Sequence, residues 1–221
     1  MAVRPPGTAD PVDDPATAEH ARRRAWRELP VLILAAIVIA VLVKSFLIQA
    51  FFIPSTSMVP TLQNGDRILV CRVCIHVSDV ERGDILVFSD PHPDPGTDRG
   101  VLGGLFHWLG EGIGVARPED DDFIKRVGAL GGQTWEIRSG RLFVDGEAVD
   151  EPYLNEPLDS RSFGPETVPD GMLLMLGDNR LKSGDSRLPP EEGGLGYVPE
   201  DTIIGNAFVV IWPFSRAGWL H

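Results

Sequence analysis

The sequence predicts a mainly β fold, one β-rich globular domain behind a single N-terminal transmembrane helix, and three observations predict it. An uncharged apolar run, Leu29 to Val43, stands near the start of the chain. Seven short runs rich in β-branched and aromatic residues follow, separated by Gly, Asp, Ser and Pro. The length of 221 residues leaves room for one anchor and one domain of roughly 150 residues, large enough to bury a core.

Residues 1–27 read as a disordered cytoplasmic tail. The first twenty are rich in Pro, Ala, Asp and Thr and carry no apolar period. Arg22, Arg23, Arg24 and Arg27 then precede the apolar run. Fifteen residues at about 1.5 Å each rise roughly 22 Å, short of a hydrocarbon core of about 30 Å, so the span is placed at 28–49, running on through Phe46, Leu47 and Ile48. Lys44 can snorkel to the outer interface. The run is apolar on every face, unlike an amphipathic helix of a soluble core. Arginines before the span, and none just after it, put the N-terminus inside and residues from about 50 onward outside the cytoplasmic membrane. The long acidic tail and the lack of a small-x-small site after the run make this a signal-anchor rather than a cleaved signal peptide.

Residues 50–221 form the expected extracytoplasmic domain. Strands are expected at Arg67 to Val77, Ile85 to Phe88, Phe123 to Val127, Thr134 to Ile137, Leu142 to Val144, Met172 to Leu176 and Thr202 to Trp212. Trp135 to Gly146 reads as a hairpin, with Ser139-Gly140 at its turn and Asp145-Gly146 turning the chain again. An insertion at 90–122 carries an apolar patch, Val101, Leu102, Leu105, Phe106, Trp108 and Leu109. It reads either as a lid that dips into the lipid interface or as a cap on the domain's own core. Cys71 and Cys74, the two cysteines, fall in an expected strand, where an offset of three puts thiols on opposite faces, so they read as packing residues. A disulfide at a bulge or turn is the alternative, and C-x-x-C is at most half of a zinc site.

The net charge of −12, with no basic stripe beyond the first thirty residues, argues against nucleic acid as a partner. None of the five histidines stands in a motif for a base or a metal ligand, and no cofactor or metal is expected. Candidate chemistry lies elsewhere. Ile53 to Leu62 holds Ser55, Thr56 and Ser57 between Pro54 and Pro60, which exclude a helix interior and set the hydroxyls on a stiff, exposed connection. Lysine occurs only at positions 44, 125 and 182. In a strand, Lys125 shares a face with Phe123 and Val127, and an amine flanked by apolar side chains loses hydration and is driven towards its neutral form. Gly177 to Arg187 packs acids, arginines and serines into one loop, which reads either as a solvated turn or as a frame that orients a nucleophile and a base.

Four blocks in this order resemble bacterial type I signal peptidases, the membrane-anchored serine endopeptidases of peptidase family S26. They are the anchor running into Ser55-Thr56-Ser57-Met58-Val59-Pro60-Thr61-Leu62, then Arg82 to Phe88, then Phe123-Ile124-Lys125-Arg126-Val127, then Gly177-Asp178-Asn179-Arg180 with Ser183, Asp185, Ser186 and Arg187. The resemblance implies an antiparallel β-sheet catalytic domain that cuts exported preproteins after small-x-small (Ala-x-Ala) sites. It implies Ser57 as nucleophile and Lys125 as general base. The Ser55 hydroxyl and Ser57 N–H would form the oxyanion hole. Ser183 would hold the Lys125 amine, Asp185 and Arg187 would brace their loop, and Arg126, Asp178 and Arg180 would support the site. Phe51, Ile53, Met58, Val87 and Ile124 match positions that line the substrate pockets. The implied partners are signal peptides and membrane lipid, and the enzyme is expected to be a monomer.

The chain departs from the family pattern in three places. Gly128 to Gln133 lacks the usual Pro and acid, which puts the turn after Val127 in doubt. Leu188 to Gly196 is inserted after Arg187, and between Gly132 and Gly171 little more than the hairpin stands where some relatives have a large extra domain. Two other classes remain to be set against this one, an anchored module that only binds exported chains and a tethered thiol oxidoreductase using Cys71 and Cys74.

Overall fold

The computed structural model describes residues 28–37, 39, 47–92, 122–155 and 159–220. The chain divides into two units, Met1–Val43 and Lys44–His221. In the first, residues 28–37 are helical, with exposed apolar side chains such as Leu32 and Leu34. Among the described residues no helix is long and apolar enough to cross a membrane. The whole of the expected tail, 1–27, and residues 38 and 40–46 of the expected span lie outside the described residues. So does nearly all of the 90–122 insertion.

The second unit is built of antiparallel strands. In chain order they are β1 (Ile48–Phe52), β2 (Arg67–Cys71), β3 (Ile85–Ser89), β4 (Asp122–Leu130), β5 (Thr134–Arg138), β6 (Arg141–Val144), β7 (Glu147–Ala148), β8 (Phe163–Thr167), β9 (Met172–Leu176), β10 (Val198–Pro199), β11 (Ile203–Trp212) and β12 (Gly218–Trp219). Among the described residues the large sheet runs β1-β2-β11-β3-β4-β9-β10, with β12 on β11, and the small sheet runs β7-β6-β5-β8. Ile48 and Gln49, expected at the end of the membrane helix, instead open β1 and pair with Cys71 and Val70. Composition could not tell them apart from the span, but β2 offers their backbone a ladder.

β3 reads as an unbroken apolar run because both of its faces are covered. Ile85 and Val87 enter a cluster with Phe51, Ile53, Met58, Leu62, Ile68 and Val70, while Leu86 and Phe88 enter another with Val127, Leu173 and Met175. β9 splits in the same way, since Leu174 and Leu176 join Trp135, Ile137, Leu142 and Val144 under the small sheet. The hairpin is where it was expected: Ser139 and Gly140 both take positive φ, 50° and 81°, as a two-residue turn between β5 and β6 demands.

The strand expected to reach Val77 stops at Cys71, and one helical turn follows at Cys74–Val77. That break brings the two thiols to one side, and Cys71 and Cys74 are joined as a disulfide rather than packed as free thiols. The turn after Val127 forms without the family's Pro and acid. A bulge at Gly128 lets β4 continue to Leu130, Gly132 turns the chain at φ 80°, and the Gln133 carboxamide accepts the Leu130 N–H at 2.9 Å. The Leu188–Gly196 insertion adds a short 3₁₀ turn and a buried Leu195 to the core.

Candidate active site

The loop from Ile53 to Asp66 joins β1 to β2 and is closed at its neck by Ile53 N–H to Asp66 O and Gly65 N–H to Ile53 O, both 2.9 Å. Inside it Met58 and Leu62, four residues apart on a single helical turn, are fully buried. They pull the intervening chain into the core. Ser55 and Thr56 are exposed as expected, but Ser57 is 8% exposed, so the nucleophile candidate is not on an exposed connection. Asn179 clamps the loop from the other side, its N–H donating to Ser57 O at 2.9 Å and its side-chain amide to Thr56 O at 3.0 Å.

Lys125 arrives on β4, directly opposite Leu86 of β3, and is 4% exposed. Its Nζ donates to Ser57 Oγ at 3.1 Å and to Ile124 O at 3.1 Å, and lies 5.9 Å from the centre of the Phe123 ring. Burial drives its pKa from 10.5 down to about 8, against the opposing pull of the Asp185 and Asp178 carboxylates. A hydroxyl therefore sits against an amine that is neutral in a large fraction near pH 8. The Ser55 hydroxyl lies 3.3 Å from that of Ser57.

The Gly177–Arg187 loop is a frame rather than a solvated turn. Asp178, Arg180, Asp185, Ser186 and Arg187 are all buried. Asp185 accepts the Gly177 N–H at 3.1 Å and is gripped by the Arg187 guanidinium at 2.8 Å and 3.0 Å, while Arg187 also donates to Arg180 O and to Asp159. The Asp159 carboxyl is held down at about 2 by hydrogen bonds from Arg161, with Arg187 adding to the effect. Asp178 receives Arg126 through two hydrogen bonds, 2.9 Å and 2.8 Å, and Thr61 Oγ1 at 2.5 Å. It thereby ties β4 to the β1–β2 loop. Gly177 is glycine for want of room: a Cβ there would overlap the Ser183 hydroxyl and lie 2.7 Å from Ser57 O.

One expected contact is not made among the described residues. Lys125 Nζ bonds Ser57 and Ile124, and the Ser183 hydroxyl, turned against Gly177, is buried without a hydrogen-bond partner among the described residues. The expected pocket residues do converge. Phe51, Ile53, Met58, Val87 and Ile124 belong to one buried cluster, with Val87 and Ile124 facing each other across β3 and β4. Sequence reasoning missed Thr61, Glu151, Tyr153, Asp159 and the Asp66–Arg216 pair, in which Arg216 donates to Asp66 at 3.0 Å and to Thr61 O at 3.1 Å. Among the described residues no group of His, Cys, Asp and Glu is placed to hold a metal ion. The arrangement can carry out nucleophilic attack by a serine whose proton passes to a lysine.

Comparison with known proteins identifies the family. The family described as "Signal peptidase, peptidase S26" matches residues 26–212. A signal peptidase I of Mycobacterium tuberculosis (strain CDC 1551 / Oshkosh) is 35% identical over 227 residues, covering 90% of this chain and 76% of that protein. A signal peptidase I of Leptolyngbya laminosa is 38% identical over 170 residues, 76% of this chain and 71% of its own length. One from Bacillus licheniformis is 30% identical over 193 residues, covering 83% of this chain and 87% of that protein.

Proposed function

This chain belongs to the signal peptidase, peptidase S26, family as a type I signal peptidase, and on that premise we propose that it cleaves signal peptides with a Ser57–Lys125 dyad. The observation that carries the dyad is the 3.1 Å contact of Lys125 Nζ with Ser57 Oγ at a buried position. In the first step the neutral amine takes the Ser57 hydroxyl proton while Oγ bonds to the scissile carbonyl carbon, and the carbonyl oxygen takes the negative charge. The Ser55 hydroxyl and the Ser57 N–H stabilise that oxyanion, at about 3 kcal/mol for one such donor. The Lys125 ammonium then protonates the leaving amine as the C–N bond breaks. Water, deprotonated by the same amine, hydrolyses the acyl-enzyme and restores Ser57.

Asp185 and Arg187 brace the loop beside Ser57, and Arg126, Asp178 and Arg180 hold it against the base strand. Ser183 supports Lys125 from that loop, its unpartnered hydroxyl standing ready to accept an amine hydrogen once substrate engages Ser57. Phe51, Ile53, Met58, Val87 and Ile124 form one apolar cluster that includes the neighbours of Ser57 and Lys125 in the chain, which supports an apolar subsite and with it the Ala-x-Ala preference. Ser57→Ala is expected to abolish cleavage of a preprotein carrying an Ala-x-Ala site, with far-UV circular dichroism unchanged. In wild type, kcat/KM should rise with pH through about 8, because the base must be neutral. Cleavage by Ser57→Ala, or a flat profile below pH 8, removes the dyad.

We also place the enzyme in the cytoplasmic membrane, as a single-pass monomer with the N-terminus inside and the catalytic domain outside. The apolar run from Leu29 to Val43 behind four arginines supports this. So do the exposed Trp212, Phe214 and Trp219 on the domain, aromatic side chains suited to a headgroup layer. The full chain should stay with membranes through an alkaline carbonate wash, and release by that wash excludes the anchor.

A further inference from the structure

Ser57 and Lys125 reach the site on separate elements, the β1–β2 loop and β4, so their separation depends on whatever joins those elements. Asp178 is one joint. A second is made by the turn Glu151-Pro152-Tyr153-Leu154, which follows β7 of the small sheet and is closed by Leu154 N–H to Glu151 O at 3.2 Å. Pro152 stands at the second position of that turn, where its fixed φ suits the geometry. The turn folds its two side chains together, the Tyr153 hydroxyl donating to Glu151 Oε1 at 2.9 Å.

Each then grips a different arginine. The Glu151 carboxylate receives Arg180 NH2 at 2.5 Å, both side chains being 5% exposed. Arg180 in turn donates from Nε to Gly177 O at 3.1 Å, and Gly177 is the residue packed against Ser57 O. The Tyr153 ring lies flat under the other arginine, with the Arg126 guanidinium carbon 3.8 Å from its centre, and Arg126 is the residue after Lys125 on β4. Cation–ring contacts strengthen where the pair is desolvated. The same hydrogen-bonded pair thus touches the nucleophile side and the base side at once.

We infer that Glu151 and Tyr153 are positioning residues of the peptidase, a clip from the small sheet that sets the Lys125–Ser57 distance through Arg126 and Arg180. This rests on Ser57 and Lys125 being the dyad. The small sheet acquires a task by it, since β5 to β7 carry the clip to the large sheet. Burial keeps the Tyr153 phenol protonated far above its usual range, helped by Glu151, so the phenol does not titrate under assay conditions. The carboxylates that raise the Lys125 pKa are Asp185 and Asp178.

The test uses full-length protein in detergent and pH profiles of kcat and kcat/KM for Glu151→Gln, Tyr153→Leu and Tyr153→Phe. Loosening the dyad admits water to Lys125, so its pKa climbs towards 10.5 and the acidic limb moves up by about half a pH unit or more. For Tyr153→Leu kcat should fall by about 10- to 100-fold with KM held within about twofold. Tyr153→Phe, which keeps the ring under Arg126, should recover most of that loss. Val144→Ala, a core residue of the same small sheet, controls for mere destabilisation and should leave the limb in place.

The sign of the Glu151→Gln shift discriminates. Direct removal of an anion would lower the Lys125 pKa, whereas lost positioning raises it. A limb that moves down, or stays fixed while activity merely follows the folded fraction, overturns the clip. Ser57→Ala in the same assay separates the two readings: if that variant still cleaves, the dyad fails and the clip with it, and if it is dead, the outcome above bears on the clip alone.

Discussion

Lys125→Met is expected to end turnover and yet to stabilise the fold. Turnover should drop by about 10³-fold or more, because the variant keeps the nucleophile but has nothing to take its proton. Stability should rise because the wild-type protein folds at neutral pH by burying an ammonium at 4% exposure. The pKa falls from 10.5 when solvated to about 8 when folded, a cost of about 3 kcal/mol to the folded state wherever the amine is protonated in both states. Met has nearly the same length and no charge to desolvate, and the hydrogen bonds lost to Ser57 Oγ and Ile124 O offset part of the gain. The sign follows from proton uptake. Between about pH 8 and 10.5 the unfolded chain binds more protons than the folded one, so wild-type stability climbs over that window and is not lost until other groups intervene. Denaturant midpoints should therefore show the variant ahead at pH 7 and the gap closing by about pH 10.5. A variant less stable than wild type at pH 7 would show that the buried amine is not a liability, and the case for a neutral lysine base would go with it.

How much of this was legible in the sequence depended on whether a feature is written in local spacing. Lys125 was legible because strand alternation sets it beside Phe123 and Val127, and the chain has few other lysines. The Ser139-Gly140 turn was legible because two consecutive residues at positive φ need such a pair. β1 was not, since Ile48–Phe52 continues an apolar run and hydropathy alone does not distinguish the end of a membrane helix from a half-buried strand. β8 was missed for the opposite reason: Phe163–Thr167 contains Gly and Pro and is largely exposed, so nothing in it reads as a strand.

The burial of Ser57 could have been read from Met58 and Leu62, which stand one helical turn apart just past it. The arginine partners could not. Glu151 lies 29 residues from Arg180, and Asp159 lies 28 from Arg187, and no local pattern marks them as pairs. The disulfide was misjudged because the β-branched run through Val77 promised a longer strand than the chain makes.

Asp178→Ala is expected to be among the most destabilising single changes in the domain, at about 3–5 kcal/mol. Asp178 is 1% exposed in its side chain and Arg126 2%, so the substitution removes one partner of a buried ion pair. Arg126 would retain among its contacts Gly83 O at 2.8 Å and the Tyr153 ring. Thr61 Oγ1 would lose its acceptor at the same stroke, leaving Asn179 to clamp the β1–β2 loop at Thr56 O and Ser57 O. The energy at stake belongs to breaking the pair from one side rather than to the pair itself, because an ion pair removed whole and replaced by apolar groups of like volume is often neutral or better. The double variant Arg126→Met with Asp178→Leu should therefore be far more stable than Asp178→Ala and yet poorly active, as the link from base strand to nucleophile loop is gone. Urea unfolding of the three proteins checks this. A loss below about 1 kcal/mol in Asp178→Ala would place the pair among surface-like bridges of little worth, and Asp178 could no longer be the joint between Lys125 and Ser57.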